Sequence, residues 1–290
     1  MGELLQLLLN GLAAGSIYGL VALGFVLIYK ATETVNFAQG DLLMLGAFAA
    51  FTFIVGFGLP YWLGLICAVV VLAVFGYLLD GFILRQVIGK PQFSIVMLTI
   101  GLGFMMRSGS SIFFGTETRQ LPTPFDSGVT NFLGLQIADV NLSVLLGTAA
   151  LCLVLYLFFS RTRLGVAMQA ASQNQLAAYY MGIPVKMIFS AIWAISAGTA
   201  ALAGVLLAPI ALIDVNMGLI GIKAFAAAVL GGFGSIPGAV VGGLIIGVIE
   251  QYSGIYMGPG FKDVAAQVVL LAVLIVWPQG LFGRHSRKRV

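Results

Sequence analysis

The feature that most constrains this chain is a succession of long apolar blocks, at residues 4–29, 42–59, 62–84, 93–114, 140–159, 187–213, 219–230, 236–249 and 264–277. Most can cross about 30 Å of hydrocarbon at about 1.5 Å rise per helical residue. No soluble fold of this size hides so much apolar surface: 60% of the 290 residues are hydrophobic and 8% charged, against about 25% charged in soluble domains. Lipid must be part of the solvent. The expected fold is all-α, a polytopic transmembrane helical bundle of about eight spans, with nine as the near rival. The leading block lacks a basic cluster and runs too long for a cleaved export signal. No soluble domain fits between the blocks, so residues 1–290 read as a single transmembrane domain.

Charge sets the orientation. Arg85 and Lys90 flank one connection, Arg161, Arg163 and Lys186 another, and the tail carries Arg284, His285, Arg287, Lys288 and Arg289. The positive-inside bias assigns all three regions to the cytoplasm. The stretch 115–139 holds Glu117, Asp126 and Asp139 against Arg119, with Pro122 and Pro124 keeping it irregular, and then lies outside. Three complete spans ahead of Arg85 place Met1 outside; an incomplete early span would place it inside. The basic tail also suits acidic lipid head groups. A net charge of +4 without basic and aromatic residues interleaved gives no sign of nucleic-acid binding.

Little in the chain suits catalysis. Cys67 and Cys152 lie inside apolar blocks and read as small hydrophobic residues, and the single histidine, His285, sits in the basic tail. No metal-ligand set is expected. The glycine-rich stretch 231–238 lacks the lysine and hydroxyl residue of a phosphate-binding loop, so any ATP must be hydrolysed by a partner.

The helical pattern falters in two places. Between residues 30 and 41, Lys30, Glu33, Asn36, Gln39 and Asp41 interrupt the apolar run. Between 231 and 238, four glycines and a proline oppose a continuous helix. That second stretch is either a tight cytoplasmic turn or a break bordering a translocation route, since irregular backbone at membrane depth must face protein or water. Elsewhere glycines recur every fourth residue, at Gly11, Gly15 and Gly19, at Gly238 and Gly242, and at Gly243 and Gly247, where helices can approach closely. Asp41, Arg107, Lys223 and Glu250 are expensive if they face lipid; each is either functional or close enough to a span end to reach the interface.

The longest cytoplasmic connection reads RTRLGVAMQAASQNQLAAYYMGIPVK over residues 161–186. Leu164, Ala167, Met168 and Ala171 make one small apolar helical face, and Leu176, Ala177 and Tyr180 another, before Gly182 and Pro184 end the pattern. Such a segment either lies on the membrane and seals the bundle, or docks into a groove of a cytoplasmic protein.

Three pieces, GSIYGLVALGFVLIYKATETVNFAQGD over 15–41, RTRLG from Arg161, and LGGFGSIPGAVVGG over 230–243, resemble the LivH-type permease subunits of bacterial branched-chain amino acid ABC transporters, and the resemblance covers nearly the whole chain. It implies a bundle of about eight helices that imports leucine, isoleucine or valine by alternating access. The implied partners are a homologous LivM-type permease subunit, two cytoplasmic ATPase subunits that bind ATP and Mg, and a periplasmic substrate-binding protein. This chain itself would carry no cofactor and would not be an enzyme. The same machinery serving urea, short amides or other amino acids is the close alternative. An ion-coupled secondary carrier or channel, or a purely structural subunit, is the more distant one.

The resemblance also carries site residues. Importer permeases of this kind place an acidic residue, two alanines and a glycine in the coupling loop. Leu176, Ala177, Ala178 and Gly182 match that spacing, with leucine in the acidic position. Gln169 stands where a basic residue is usual, ahead of Ala170 and Ala171, and Arg161 and Gly165 open the segment. For the pathway, Asn36, Phe37, Ala38 and Gly40 match the family's NFAxG ending of the first span, where Asn36 would meet substrate or else cap the next helix. Gly231, Gly232 and Gly234 are the second candidate pathway element.

Overall fold

Inside a bilayer the backbone satisfies its own hydrogen bonds as helix or closed barrel, and this chain takes the helical solution. The computed structural model describes residues 2–87, 90–125, 128–132 and 135–283. Asp126 and the basic tail from Arg284 onward lie outside the described residues. Among the described residues the chain forms α1 (Gly2–Thr32), α2 (Gln39–Phe51), α3 (Tyr61–Phe82), α4 (Gln92–Phe114) and α5 (Asp139–Arg161). These are followed by α6 (Arg163–Gln173), α7 (Gln175–Tyr180), α8 (Val185–Ala211), α9 (Ile220–Gly231), α10 (Ile236–Tyr256) and α11 (Pro259–Val276). A π-helical turn, Thr52–Gly56, lengthens α2, and a 3-10 turn, Met217–Leu219, precedes α9. A small antiparallel hairpin, β1 (Val129–Phe132) and β2 (Leu135–Ala138), leads into α5. Eight helices are long and apolar enough to cross a membrane, as expected; α6, α7 and α9 are shorter.

Helices α1 and α8 run through the interior, whereas α3, α4, α5 and α11 present most of their apolar surface outward. Glycine decides how closely the inner helices approach. A Cβ at Gly247 would stand 2.3 Å from Gly15 Cα, and one at Gly243 would stand 2.3 Å from Gly19 N, so one glycine row of α10 is laid against α1. The other row serves a different neighbour: a Cβ at Gly242 would stand 2.2 Å from the Ala227 carbonyl oxygen of α9, and one at Gly238 2.4 Å from that of Gly231. The two rows predicted from four-residue spacing thus lie on adjacent faces of one helix and seat two partners.

Arg85 and Lys186, two of the basic residues that set the orientation, meet at one end. Arg85 Nη2 donates to the Lys186 carbonyl at 3.1 Å and to Ser190 Oγ at 2.6 Å, and Gln175 Nε2 donates to the Ala31 carbonyl at the close of α1 at 3.0 Å. At the opposite end, Arg119 and Ile213 pair through their backbones, Asn141 Nδ2 donates to Asn10 Oδ1 at 2.8 Å, and Tyr252 bonds the Leu4 carbonyl. Helix α1 therefore begins at the Arg119 end and finishes at the basic end, which matches the orientation expected from charge.

The first expected interruption is present. Helix α1 stops at Thr32, Glu33 takes a φ of 55°, and residues 33–38 climb back beside α1 before α2 begins at Gln39. The second expected interruption is present at 231–238, and a further one lies upstream of it. Helix α8 ends at Ala211, Leu212 has a φ of 60°, and residues 212–216 lead into the 3-10 turn and α9. The stretch 231–238 is the tight turn of the two alternatives: Gly232 has a φ of 92°, Ser235 N–H bonds the Gly232 carbonyl, and Ser235 Oγ caps α10 by accepting from Gly238 N–H at 3.1 Å. Phe233 in this turn lies 4.7 Å from the Tyr29 ring, at the basic end.

Replacing Gly247 with alanine is expected to force α10 away from α1 and to cost about 1–3 kcal/mol. Gly234→Ala, where a Cβ meets nothing within 4 Å and φ is not positive, is expected to be neutral. Thermal unfolding of the two purified variants in detergent checks the contrast.

Candidate substrate site at a helix junction

The broken backbone after α1 is stabilised from within the protein. Asn36 Oδ1 accepts from Ala38 N–H at 3.1 Å, and its amide donates to Gln39 Oε1 at 3.2 Å. Gln39 Nε2 donates to the Ser196 carbonyl at 3.3 Å, and the Ser196 hydroxyl lies within hydrogen-bonding distance of Gln39 Oε1 and the Gly24 carbonyl. Phe37 N–H donates to Thr99 Oγ1 at 3.2 Å. Asn36 is buried and organises the turn ahead of α2 through these two hydrogen bonds. Phe37 lines the cavity described next, and Gly40 packs against two glycines that line it.

Gly40, near the start of α2, abuts the start of the α9 segment. A Cβ there would stand 2.0 Å from the Gly218 carbonyl oxygen and 2.9 Å from Gly221 Cα. From this junction α2 runs toward the Arg119 end and α9 toward the basic end, so two N-termini, with their partial positive charge, converge inside the bundle. Asp41, in the first turn of α2, sits at the convergence with 6% of its surface exposed. Arg107 of α4 closes on it, with Nε at 3.2 Å and Nη2 at 3.0 Å from the same oxygen, Oδ1. Two of the intramembrane charges flagged in the sequence thus neutralise each other.

The pair forms one corner of a cavity of about 230 Å³. Its walls are Phe25, Phe37, Ile100, Phe104, Ile222 and Phe225, and Phe225 lies 5.8 Å from Phe25 and 5.6 Å from Phe37, ring centre to ring centre. The mouth has an apolar rim, since Phe104 is 62% exposed and Phe37, Leu219 and Ile222 are also exposed. A site with one charged corner and apolar walls suits a small solute that carries charge at one end and hydrocarbon at the other.

Gly231, Gly232 and Gly234 do not border this cavity. They lie at the basic end, where the segment after α11 packs on them: Leu281 N–H bonds the Leu230 carbonyl at 2.8 Å and Phe282 N–H that of Gly231 at 3.2 Å. Gly218 and Gly221 are the glycines that the sequence reading missed. The gap between the apolar blocks ending at 213 and starting at 219, which contains Asp214 and Asn216, was the available signal. The other two flagged charges form a separate cluster, in which Lys223 Nζ lies 2.8 Å from both Glu250 Oε1 and Asp263 Oδ1 and ties α9 to α10 and α11.

At the basic end, α6 and α7 pack against the bundle. Thr162 Oγ1 caps α6 by accepting from Gly165 N–H at 3.0 Å, and Asn174 Oδ1 caps α7 by accepting from Ala177 N–H at 2.9 Å. Gly165, Ala171 and Ala178 are buried against the bundle, and Ala170 is half-buried. Arg161, Leu176, Ala177 and Gly182 face outward, beside Tyr180 and Met181, which are 81% and 83% exposed. Gly182 makes the turn after α7 with a φ of 81°.

Known proteins resemble this chain along nearly its whole length. The chain is 32% identical to the high-affinity branched-chain amino acid transport system permease protein LivH of Salmonella typhimurium, over 99% of this chain and 97% of that one. It is 33% identical to the corresponding protein BraD of Pseudomonas aeruginosa, over 99% and 98%. Among solved structures, PsaBC from Streptococcus pneumoniae in complex with Fab shares the fold with a TM-score of 0.51 at 15% identity, covering 94% of this chain and 92% of that one. Matched from residue 7 to residue 277 by the model of that family, this multi-pass membrane protein belongs to the permease components of branched-chain amino acid transport systems.

Proposed function

We propose that this chain is the inner-membrane permease subunit of an ATP-driven importer of branched-chain amino acids. The observation that carries the reading is the junction of α2 and α9: broken backbone, a charge pair and apolar walls meet at membrane depth. A purely structural bundle has no use for such a breach, which is tolerated only where it lines a cavity or is buried in protein. The apolar rim of the cavity gives it a side to be closed by a homologous permease subunit of the LivM type, with the pathway running between the two. A periplasmic binding protein delivers leucine, isoleucine or valine at the Arg119 end.

Energy comes from elsewhere. This chain has no nucleotide-binding motif, so ATP and Mg belong to two cytoplasmic ATPase subunits. The outward side of α7 is their docking element: Leu176, Tyr180 and Met181 project from a short helix whose other side is fixed to the bundle by Ala178. An exposed apolar knob on a supported base fits a groove.

Co-purified with its neighbouring transport subunits and placed in vesicles, the complex is expected to import leucine only when ATP is supplied on the ATPase side. Uptake by the isolated chain down an ion gradient, or a preference of the complex for urea or a short amide, would sink the assignment. Gly182→Val, which forces a β-branched residue into the left-handed region, is expected to lower binding-protein-stimulated ATP hydrolysis at least fivefold. Membrane insertion should be unaffected, and co-purification of the ATPase should weaken in parallel.

A further inference from the structure

We infer that Asp41 and Arg107 together bind the head group of a free α-amino acid, the substrate inserting its carboxylate against Arg107 and its ammonium against Asp41. The inference rests on the proposed transport function and names the recognition chemistry of the same cavity. Three observations support it.

The first is charge balance. Asp41, buried, and Arg107, half-buried, form a pair of zero net charge, and a zwitterion also has zero net charge. When it enters, one ion pair becomes two, and every charge keeps a partner of opposite sign. An amine without a carboxylate, or a carboxylate without an amine, leaves one protein charge unmatched inside the bundle, which is costly. Urea and simple amides carry no charge to replace the pair they would break.

The second is geometry. Arg107 spends both Nε and Nη2 on a single oxygen, Oδ1, so the pair is not the two-oxygen fork that arginine and a carboxylate form at their best. The guanidinium has five N–H donors, enough to hold a second carboxylate. That carboxylate also meets the N-terminal ends of α2 and α9, which favour negative charge.

The third is what surrounds the charges. Ile100, Ile222, Phe25 and Phe225 line the same cavity and offer an apolar space to a branched aliphatic side chain held by its head group. Its volume of about 230 Å³ lies below the roughly 300–1,000 Å³ of drug-sized pockets, which suits a small metabolite.

The test uses the whole complex in vesicles and reads leucine delivered per ATP hydrolysed. The double variant Asp41→Asn with Arg107→Gln leaves no orphan charge and is expected to assemble with its partner subunits as the unchanged complex does, read by co-purification. Leucine per ATP is expected to fall at least tenfold. A ratio within about twofold of the unchanged complex overturns the inference, whereas a merely structural pair would change assembly or hydrolysis instead. Should the neutral pair not assemble, Asp41→Glu with Arg107→Lys decides, since it keeps both charges but moves them. Less than half the normal ratio then supports the inference, and a normal ratio overturns it. If the unchanged complex imports no leucine, the proposed function and this inference fall together.

Discussion

The structure depends on the requirement that no backbone polar group inside the membrane be left without a partner. Long helices meet it automatically, and eight of them make up most of the chain. The cost falls at residues 33–38 and 212–216, where helices stop short. At the first, the side chains of Asn36, Gln39, Thr99 and Ser196 supply hydrogen bonds that the helix no longer provides. At the second, the Asp214 carboxylate accepts from Asn216 N–H at 2.8 Å and Ile213 pairs with Arg119. Polar residues in an otherwise apolar sequence thus mark the places where backbone needs help.

The same requirement governs charge. Asp41 with Arg107, Lys223 with Glu250 and Asp263, and Asp80 with Arg85 and Ser190 are each drawn from different helices. Each group ties a short or terminal segment to a long one. Lys223 fixes α9 to α10 and α11, and Arg85 fixes the end of α3 to the start of α8. Asp41, Asp80 and Glu250 are the buried members, and removing the cation beside any of them strands a buried carboxylate.

The spans, the cytoplasmic end, the break near Asn36 and the glycine rows were all legible in the sequence, because each follows from local composition or a fixed helical period. The break at 212–216 was not. Four glycines and Pro237 between 231 and 238 are louder punctuation than Asp214 and Asn216, yet glycine and proline serve a tight turn as well as a breach, and only packing separates the two. The pairing of Asp41 with Arg107 was equally hidden, since it spans 66 positions of sequence and no local pattern links them. Nor could spacing say that Gly243 and Gly247 meet α1 while Gly238 and Gly242 meet α9.

A short series of contacts joins the basic end to the cavity. Helix ends leave carbonyls without helical partners, and at the end of α1 one of them, on Ala31, is taken by Gln175, the first residue of α7. Two residues earlier, the Tyr29 ring packs on Phe233, which lies 5.7 Å from Phe225, and Phe225 borders the cavity beside Phe37. The outward helices α5 and α11 contribute nothing to this series. The contact from α7 thus reaches the chain at residue 31, at the edge of the break, where helical stiffness ends.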